Sequence, residues 1–214
     1  MKIKWFGQAA FLITSDSGLK IITDPYAPNE RLTYDEINES ADIVTVSHGH
    51  GDHNNVAGVK GNPALVKETK EVKGIKFQSI PAYHDASEGG QRGKMTLFCF
   101  QVDGIKICHL GDLGHPLSDK QAAEIGKVDI LLVPVGGNFT IDAKLAAEVC
   151  GKLAAKVIIP MHYRNERCPN FPVAGIDDFI KGKSNVTRLE VSEAEFKAGV
   201  LPAAAQIVVL KPAR

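Results

Sequence analysis

One segment constrains this sequence more than any other: Ser47-His48-Gly49-His50-Gly51-Asp52-His53. It holds three of the seven histidines of a 214-residue chain, together with one aspartate. Imidazole and carboxylate groups are the ligands that suit zinc and neighbouring transition metals. In an extended turn, His48 and His50 can face one ion, while Asp52 and His53 turn toward a second position. The glycines between them are expected to let the loop fold tightly. The alternative interpretation is a polar surface loop in which the histidines occur by chance.

The segment directly follows a predicted buried strand over residues Asp42–Ser47, and this position favours a functional site. Proteins of the α/β class place their sites in loops beyond the carboxyl ends of strands. The first third of the chain reads as short strands separated by turn residues, whereas the second half alternates strands with capped helices. This order predicts an α/β sandwich with helices on the outside. No change of composition marks a linker, so we expect one domain over residues 1–214.

Local signals also predict the individual elements. A two-residue turn at Asp103-Gly104 predicts a hairpin that pairs Cys99 with Cys108 and Phe98 with His109. The other expected elements are strands at 2–6, 11–15, 19–23, 130–135, 157–161, 188–191 and 206–210, two or three strands within 64–81, and helices at 118–125, 142–154 and 176–180.

Charge and composition argue against several classes of function. Lys plus Arg and Asp plus Glu number 25 each, so the formal net charge is zero. Binding to nucleic acid or to an anionic membrane requires a basic surface, and we expect neither partner. The four cysteines form no C-x-x-C pair and are interpreted as reduced thiols. We find no export signal and no apolar run long enough to span a bilayer, so a cytoplasmic location is expected.

Several motifs together resemble the signature of the metallo-β-lactamase superfamily. The pattern S-H-x-H-x-D-H after an apolar strand carries most of the likeness, and four further motifs occur in the order of that family. They are Thr23-Asp24-Pro25, Pro81-Ala82-Tyr83-His84-Asp85, His109-Leu110-Gly111-Asp112 and Pro160-Met161-His162-Tyr163. The match covers about residues 3 to 163 without a large insertion. Within the superfamily, the chain is similar to the compact ascorbate-6-phosphate lactonase-like proteins.

The resemblance implies a four-layer αβ/βα sandwich, in which two mixed β-sheets are flanked by helices and the site lies at one edge between the sheets. It also implies two divalent metal ions, with zinc as the first choice and manganese or iron as alternatives. By this resemblance, one ion is held by His48, His50 and His84, and the other by Asp52, His53 and His162. Asp112 would bridge both ions.

Three residues near these motifs are expected to act through neighbours or through substrate. Asp24 is expected to orient a ligating histidine rather than to bind metal itself. The hairpin register places His109 on the apolar face beside Phe98, which favours a supporting or core role over direct ligation. Related proteins often carry histidine in a W-x-G-H motif where this chain has Gln8, so Gln8 is a candidate for hydrogen bonding to substrate.

Two loops are candidates for substrate contacts. In the glycine-rich loop after His84, Arg92 could hold a phosphate or a carboxylate, although a solvated turn is the alternative. The loop after the strand at 130–135 precedes a helix capped by Asp142. Its candidate residues are Asn138, Phe139 and Thr140.

The function implied by the resemblance is that of a binuclear metal-dependent hydrolase. A metal-bridged hydroxide would attack a small ester, lactone or phosphodiester, and Asp52 would orient the nucleophile and return a proton. One alternative is a protein that binds metal or senses a ligand without catalysis. A metal-dependent nuclease is disfavoured by the zero net charge. Di-iron oxygen chemistry is disfavoured because the related flavin-dependent proteins carry glutamate where this chain has His50.

Overall fold

A computed structural model describes all residues of the chain, 1–214. The elements comprise fourteen strands, three α-helices and one 3₁₀ turn at Val56–Gly58. The strands are β1 (Lys2–Gly7), β2 (Ala10–Thr14), β3 (Lys20–Thr23), β4 (Ile43–Thr45), β5 (Ala64–Val66), β6 (Lys70–Val72), β7 (Ile75–Tyr83), β8 (Lys94–Val102), β9 (Ile105–His109), β10 (Ile130–Pro134), β11 (Val157–Met161), β12 (Val186–Arg188), β13 (Glu193–Glu195) and β14 (Gln206–Val209). The helices are α1 (Asp119–Ile125), α2 (Ala143–Leu153) and α3 (Ile176–Ile180).

The strands form two mixed sheets, as predicted for this fold class. The first has six strands in the order β13-β1-β2-β3-β4-β5, and the second has eight in the order β12-β14-β11-β10-β9-β8-β7-β6. Strands β4, β10 and β11 pair in parallel with their neighbours and are buried along their whole length. Their continuous apolar sequences follow from this, because parallel strands are covered on both faces.

The hairpin of β8 and β9 has the register that the turn predicts. Asp103 and Gly104 adopt positive φ values of 49° and 77°, which is the conformation that a two-residue type I′ turn requires. Cys99 lies opposite Cys108, and Phe98 lies opposite His109. The turn residues therefore determine which side chains of this hairpin face the core.

All three helices belong to the eight-stranded sheet. Helix α1 begins with a capping box between Ser118 and Gln121, and α2 begins where Asp142 accepts a hydrogen bond from the Leu145 amide at 2.8 Å. Helix α1 contacts β7, α2 contacts β10, and α3 packs on α2. The buried face of α2 carries Val149 and Leu153, at the spacing of an amphipathic helix.

The outer face of the six-stranded sheet is covered by loops instead of the expected helices. A cluster of 15 buried residues lies here, and it includes Tyr26, Leu32, Tyr34 and Ile37 from the long β3–β4 connection. These side chains pack on Phe6, among others. The connection remains irregular because Pro25 and Pro28 interrupt its first turn. The fold class is confirmed, and its fourth layer is a loop with one 3₁₀ turn.

Two strands near the end of the chain differ from the prediction. The strand expected at 188–191 lies at Val186–Arg188, and Glu193–Glu195 adds an edge strand beside β1. A Glu-Ala-Glu sequence has little intrinsic strand preference, so only its pairing with β1 makes it a strand. The main core of 48 buried residues fills the space between the sheets and beneath the helices.

None of the helices is both long and apolar enough to cross a membrane.

Candidate metal centre

The predicted ligands meet because the strands that precede them end on the same side of the sandwich. In the first sheet β1 and β3 both pair antiparallel with β2, and β3 pairs parallel with β4. In the second sheet β7, β9, β10 and β11 likewise share one direction. Each candidate ligand lies beyond the carboxyl end of one of these strands. The centre therefore lies where two sets of strand ends face each other.

Three histidines form the first group of potential ligands. The ligand atoms of His48, His50 and His84 all lie within 4.8 Å of one another. His48 Nε2 is 3.1 Å from His50 Nδ1. The loop that carries His48 and His50 needs no left-handed glycine, because neither Gly49 nor Gly51 has a positive φ. The loop therefore owes its shape to its contacts and not to the glycine freedom expected from the sequence.

Two aspartates and two histidines form the second group, and Asp112 connects it to the first. The ligand atoms of Asp52, His53, Asp112 and His162 lie within 4.8 Å of one another. Asp112 Oδ2 is 3.1 Å from His53 Nε2, 3.2 Å from His162 Nε2 and 3.2 Å from His84 Nε2. One carboxylate oxygen thus contacts imidazoles of both groups.

The electrostatics of the centre suit a cation. Burial lowers the pKa of His48 to about 3, with His53 adding to the shift, so the His48 ring is neutral and can ligate through a lone pair. Burial alone would raise the pKa of Asp112, but His162 and His53 outweigh it and hold that pKa well below its usual value. Burial also opposes a charge on His53, yet Asp112 and Asp52 raise its pKa well above the usual value. The space between the two carboxylates therefore favours positive charge.

The donor set fits a transition metal. Oδ1 of Asp112 is buried and has no hydrogen-bond partner in the protein. Buried polar atoms without partners are costly, and a ligated ion removes that cost. Five imidazoles and two carboxylates, with no thiolate, form a nitrogen and oxygen set that zinc and its neighbours accept.

Asp24 lies behind two of these histidines and fixes their position through hydrogen bonds. Its Oδ1 accepts the Ser47 amide at 2.7 Å, and its Oδ2 accepts the Ser47 hydroxyl at 2.5 Å. His53 Nδ1 lies 2.9 Å from the same Oδ2 and donates to it, which leaves Nε2 free to face Asp112. The Ser47 oxygen in turn lies 2.9 Å from His48 Nδ1. Asp24 therefore hydrogen-bonds His53 directly and reaches His48 through Ser47, and its own oxygens are occupied.

The backbone is strained at several of these positions. Gln8, Asp24 and His162 adopt positive φ values of 50°, 37° and 53° without being glycine. Each such residue costs on the order of 1–3 kcal/mol, so the surrounding packing has to hold it in place. Outliers of this kind concentrate where a fold positions functional side chains.

His109 lies in the core and does not contact a ligand. It is fully buried, and its Nε2 donates to the Ala9 carbonyl at 2.9 Å. Its ring meets that of Phe11 edge-on at 6.3 Å. Of the roles left open by the sequence, the structure gives His109 the core one, in which it links β9 to the β1–β2 turn of the other sheet.

Gln8 contacts Asp52, whereas the sequence suggested that it would hydrogen-bond to substrate. The residue is 1% exposed and does not line the cleft above the centre. Its Nε2 donates to Asp52 Oδ2 at 2.9 Å. Because the strained β1–β2 turn points this amide inward, Gln8 orients Asp52.

A cleft of about 340 Å³ opens over the centre. Arg92 and Phe139 line it, as predicted, whereas Asn138 and Thr140 do not. The Asn138 amide donates to the Pro172 carbonyl at 2.8 Å, and the Thr140 hydroxyl donates to the Ile141 carbonyl at 3.2 Å. These two residues therefore shape the loop that presents Phe139.

The sequence analysis missed several cleft residues, and Arg31 and Phe171 are two of them. Arg31 comes from the long β3–β4 connection, and Phe171 comes from the segment after β11. The Phe171 ring lies 5.9 Å from that of Phe139 and 5.3 Å from that of His162. Both residues lie in irregular segments without a motif, so no local signal in the sequence marks them.

Known proteins match this chain along most of its length. The profile of the beta-lactamase superfamily domain matches residues 2–162. A UPF0173 metal-dependent hydrolase of Carboxydothermus hydrogenoformans is 36% identical over 194 residues, which cover 76% of this chain and 84% of that protein. Another UPF0173 metal-dependent hydrolase, of Pelotomaculum thermopropionicum, is 30% identical over 244 aligned residues. The alignment covers 99% of this chain and 97% of that protein.

A solved structure supports the same assignment. It is a Thermotoga maritima protein that is proposed to be a Zn-dependent hydrolase of the metallo-β-lactamase superfamily, and it aligns with a TM-score of 0.79. The two chains are 39% identical, and the alignment covers 98% of this chain and 97% of that one. Because residues 2–162 also contain every potential ligand of the centre, this chain belongs to the metallo-β-lactamase superfamily and is one of its metal-dependent hydrolases.

Proposed function

We propose that the chain is a binuclear hydrolase that cleaves a small ester, lactone or phosphodiester. The observation that carries this proposal is the position of Asp112 Oδ2 within 3.2 Å of imidazole nitrogens from both ligand groups. The ligands assigned are His48, His50 and His84 for one ion, Asp52, His53 and His162 for the other, and Asp112 for both.

Zinc is the ion that we assign to both positions. The donors are imidazoles and carboxylates, and related proteins are described as zinc-dependent or metal-dependent hydrolases. When bound, two such ions supply Lewis acidity toward an electrophilic oxygen and lower the pKa of water. Manganese and iron accept the same donors and are the competing assignments.

The chain's own residues orient the reacting groups and carry the proton. Asp52 is the more open of the two carboxylates, since 27% of its side chain is exposed against 2% for Asp112. It lines the cleft, and the Gln8 amide holds its Oδ2 in place. Asp52 can therefore accept a proton from the attacking water and pass it to the leaving group.

The cleft suits a small molecule as the partner. Its volume of about 340 Å³ lies at the lower end of the range, roughly 300–1,000 Å³, of small-molecule pockets. Phe139 and Phe171 supply apolar walls, and the imidazoles of the centre form part of the lining. This proposal disfavours nucleic acid as the partner.

The test combines metal analysis with turnover. We expect two ions per chain by elemental analysis, and hydrolysis of at least one substrate among a p-nitrophenyl ester, a simple lactone and bis(p-nitrophenyl) phosphate. The variant Asp52→Asn should lower kcat by about 10²–10⁴-fold, because the amide cannot accept the proton. Asp142→Asn, which changes only the N-cap of α2, should leave kcat unchanged. A protein that binds a single ion, or an Asp52→Asn variant with full kcat, would contradict the proposal.

We propose the cytoplasm as the location, and the cysteines support it. All four are free and buried, and Cys99 lies directly opposite Cys108. Such a pair has the Cα separation of a disulfide, and a reducing compartment would keep both thiols free. Thiol titration of the denatured protein from its native cells should give four thiols per chain. Two thiols would contradict this location.

A further inference from the structure

Two arginines line the metal cleft and form no ion pair. Arg31 and Arg92 are both cleft residues, and neither guanidinium has a carboxylate or carbonyl partner. Three of the other four arginines each pair with a carboxylate outside the cleft. These pairs are Arg167 with Asp35, Arg188 with Asp177, and Arg214 with Glu39. The donors of Arg31 and Arg92 thus remain available to a molecule in the cleft.

Arg92 is held in place by a tightly bonded loop. Asp85 Oδ1 accepts the amides of Ser87 and Gly89 at 2.8 and 2.9 Å, and its Oδ2 accepts the amides of Gln91 and Arg92 at 3.0 and 2.7 Å. The Ser87 hydroxyl donates to the same carboxylate at 2.8 Å. A loop bonded in this way presents Arg92 from a fixed backbone. The loop follows His84 directly, so it is anchored to the metal centre.

The Arg92 guanidinium also has a fixed direction. Its Cζ lies 4.7 Å from the centre of the Phe139 ring, which is the geometry of a cation–π contact. Stacking on a ring covers the face of the guanidinium but leaves its N–H edges open. Those edges match the two oxygens of a carboxylate or phosphate.

Arg31 approaches the cleft from the opposite sheet. The Asn29 side chain accepts the amides of Arg31 and Leu32 at 2.9 and 3.0 Å, and the buried Leu32 anchors this turn to the outer cluster. Arg31 lines the cleft together with His50 and Asp52. The cleft therefore receives one guanidinium from each sheet's loops. In both cases side-chain hydrogen bonds, from Asn29 or from Asp85, fix the backbone of the loop that carries the arginine.

The charges of the cleft favour an anion. Asp52 and Asp112 are its only carboxylates, and the proposed function assigns both to the ions. The four positive charges of two divalent ions would exceed the two negative charges of these carboxylates by two. The two arginines raise this excess of positive charge to four. A neutral substrate would leave the donors of the exposed Arg31 and the half-buried Arg92 to water, whereas an anionic one can pair with both.

We propose that the substrate carries an anionic group, a carboxylate or a phosphate monoester, away from the bond that is hydrolysed, and that Arg92 and Arg31 bind this group. The inference rests on the proposed function, because it takes the reacting bond to lie at the metal centre. It extends that function by naming a charged substrate and a new residue, Arg31. The two arginines determine substrate choice and take no part in the bond cleavage.

The kinetic test compares matched substrates that differ in one remote charge. The substrates are p-nitrophenyl butyrate, mono-p-nitrophenyl glutarate, and the p-nitrophenyl ester of 4-phosphooxybutyrate. The metal-loaded protein should prefer an anionic ester by about tenfold or more in kcat/KM, the effect of a charged hydrogen bond. Arg92→Gln and Arg31→Gln should each remove most of this preference, measured as the ratio of kcat/KM for the anionic ester to kcat/KM for the neutral ester. The preferred anionic ester distinguishes carboxylate from phosphate.

Arg164 provides the matched control. It is exposed, has no ion pair and lies outside the cleft, so Arg164→Gln removes one positive charge without touching the proposed subsite. This variant should keep the full preference for the anionic ester. An equal loss in Arg164→Gln would show that the preference comes from overall charge and would overturn the subsite.

A binding measurement keeps the inference testable if no ester is hydrolysed. Calorimetric titration of the metal-loaded protein compares glutarate and 4-phosphonobutyrate with butyrate, each of which offers one carboxylate to the ions. At least one of the two dianionic ligands should bind about tenfold more tightly than butyrate, and Arg92→Gln should abolish the difference. If neither binds more tightly than butyrate, or if none of the three binds, the anion subsite is wrong. Esters hydrolysed without charge preference would refute the subsite and leave the proposed function standing, whereas a protein with fewer than two ions would refute the function itself.

Discussion

The Asp112 carboxylate faces three imidazole rings, and its Oδ2 lies within 3.2 Å of nitrogens from both ligand groups. It is 1% exposed, so water cannot replace its contacts. His109 lies only three residues earlier in the chain, is equally buried, and hydrogen-bonds a backbone carbonyl instead. These two residues provide a direct test of which groups bind metal.

Replacing these residues by alanine should separate metal binding from core packing. Asp112→Ala removes the carboxylate expected to touch both ions, so the variant should hold one ion or none and lose nearly all turnover. His109→Ala should keep both ions, lose at most about 10–100-fold in metal affinity or rate, and lose about 2–5 kcal/mol of unfolding free energy to the cavity. Elemental analysis and denaturant unfolding measure the two effects. Loss of an ion from His109→Ala, with both ions kept by Asp112→Ala, would refute the ligand assignment.

Asp24 offers a second test, of ligand orientation. The change Asp24→Asn puts an amide where His53 Nδ1 and the Ser47 hydroxyl now donate, so at least one of these bonds is lost or reversed. We expect metal affinity to fall by about 10–100-fold, the usual cost of removing a partner that orients a ligand. Competition with a chelator of known affinity measures this. Asp42→Asn, at an exposed ion pair with Lys73, is the control and should bind metal normally. Equal affinity of Asp24→Asn and the unmodified protein would contradict the orienting role.

Loops at the strand ends place the ligands, and some of them pack so closely that no side chain fits. Gly114 lies two residues after Asp112 and packs against the backbone of His84 and Asp85. The loop that carries Arg92 begins at this point. A Cβ on Gly114 would meet the Asp85 nitrogen and the His84 carbonyl carbon, both at 2.3 Å. Gly151, within α2, has no atom within 4 Å of such a Cβ. The two glycines therefore predict opposite effects of the same change.

Gly114→Ala should destabilise the protein and disturb the centre, whereas Gly151→Ala should stabilise it. In the first case the backbone of His84 and Asp85 has to move, at a cost of about 1–3 kcal/mol or more, and the ion held by His84 should bind less tightly. In the second, alanine lowers the conformational entropy of the unfolded chain, for a gain of about 0.5–1 kcal/mol. Chemical unfolding and metal analysis of both variants test this. A Gly114→Ala variant as stable as the unmodified protein would show that the 84–85 backbone adjusts freely.

The molecule as a whole gathers like-charged and unpaired polar groups at the junction of its two sheets. Asp52 and Asp112 share one small space, and the contributing strands come from both sheets. An ion bound there links the sheets through side chains. Metal binding should therefore stabilise the folded chain as well as support its chemistry.

Removing the metal should lower the melting temperature. At a free-metal concentration 100 times the dissociation constant, one site adds about 2.7 kcal/mol to the unfolding free energy. For a chain of this size that corresponds to roughly 5–11 °C in the melting midpoint. Melting curves with and without a strong chelator, with metal removal verified by elemental analysis, measure the shift. Restoring zinc should restore the midpoint, and an unchanged midpoint in the metal-free protein would contradict the prediction.

The identities of the potential ligands, the strands that precede them and the hairpin register could all be read from the sequence. These features depend on neighbouring residues: an apolar run followed by His48, a turn at Asp103-Gly104, or a cap at Asp142. The two mixed sheets followed from the order of the elements and from the family resemblance.

The sequence does not show several features that depend on the tertiary structure. They are the hydrogen bonds of Gln8 to Asp52 and of His109 to Ala9, the loop layer over the first sheet, and the position of Arg31 at the cleft. The two hydrogen bonds join residues 44 and 100 positions apart, and nothing in the local sequence of either partner specifies the other. Local sequence therefore determined which groups this protein offers to a metal, while the packing of its two sheets determined which of them touch and what charge the cleft presents.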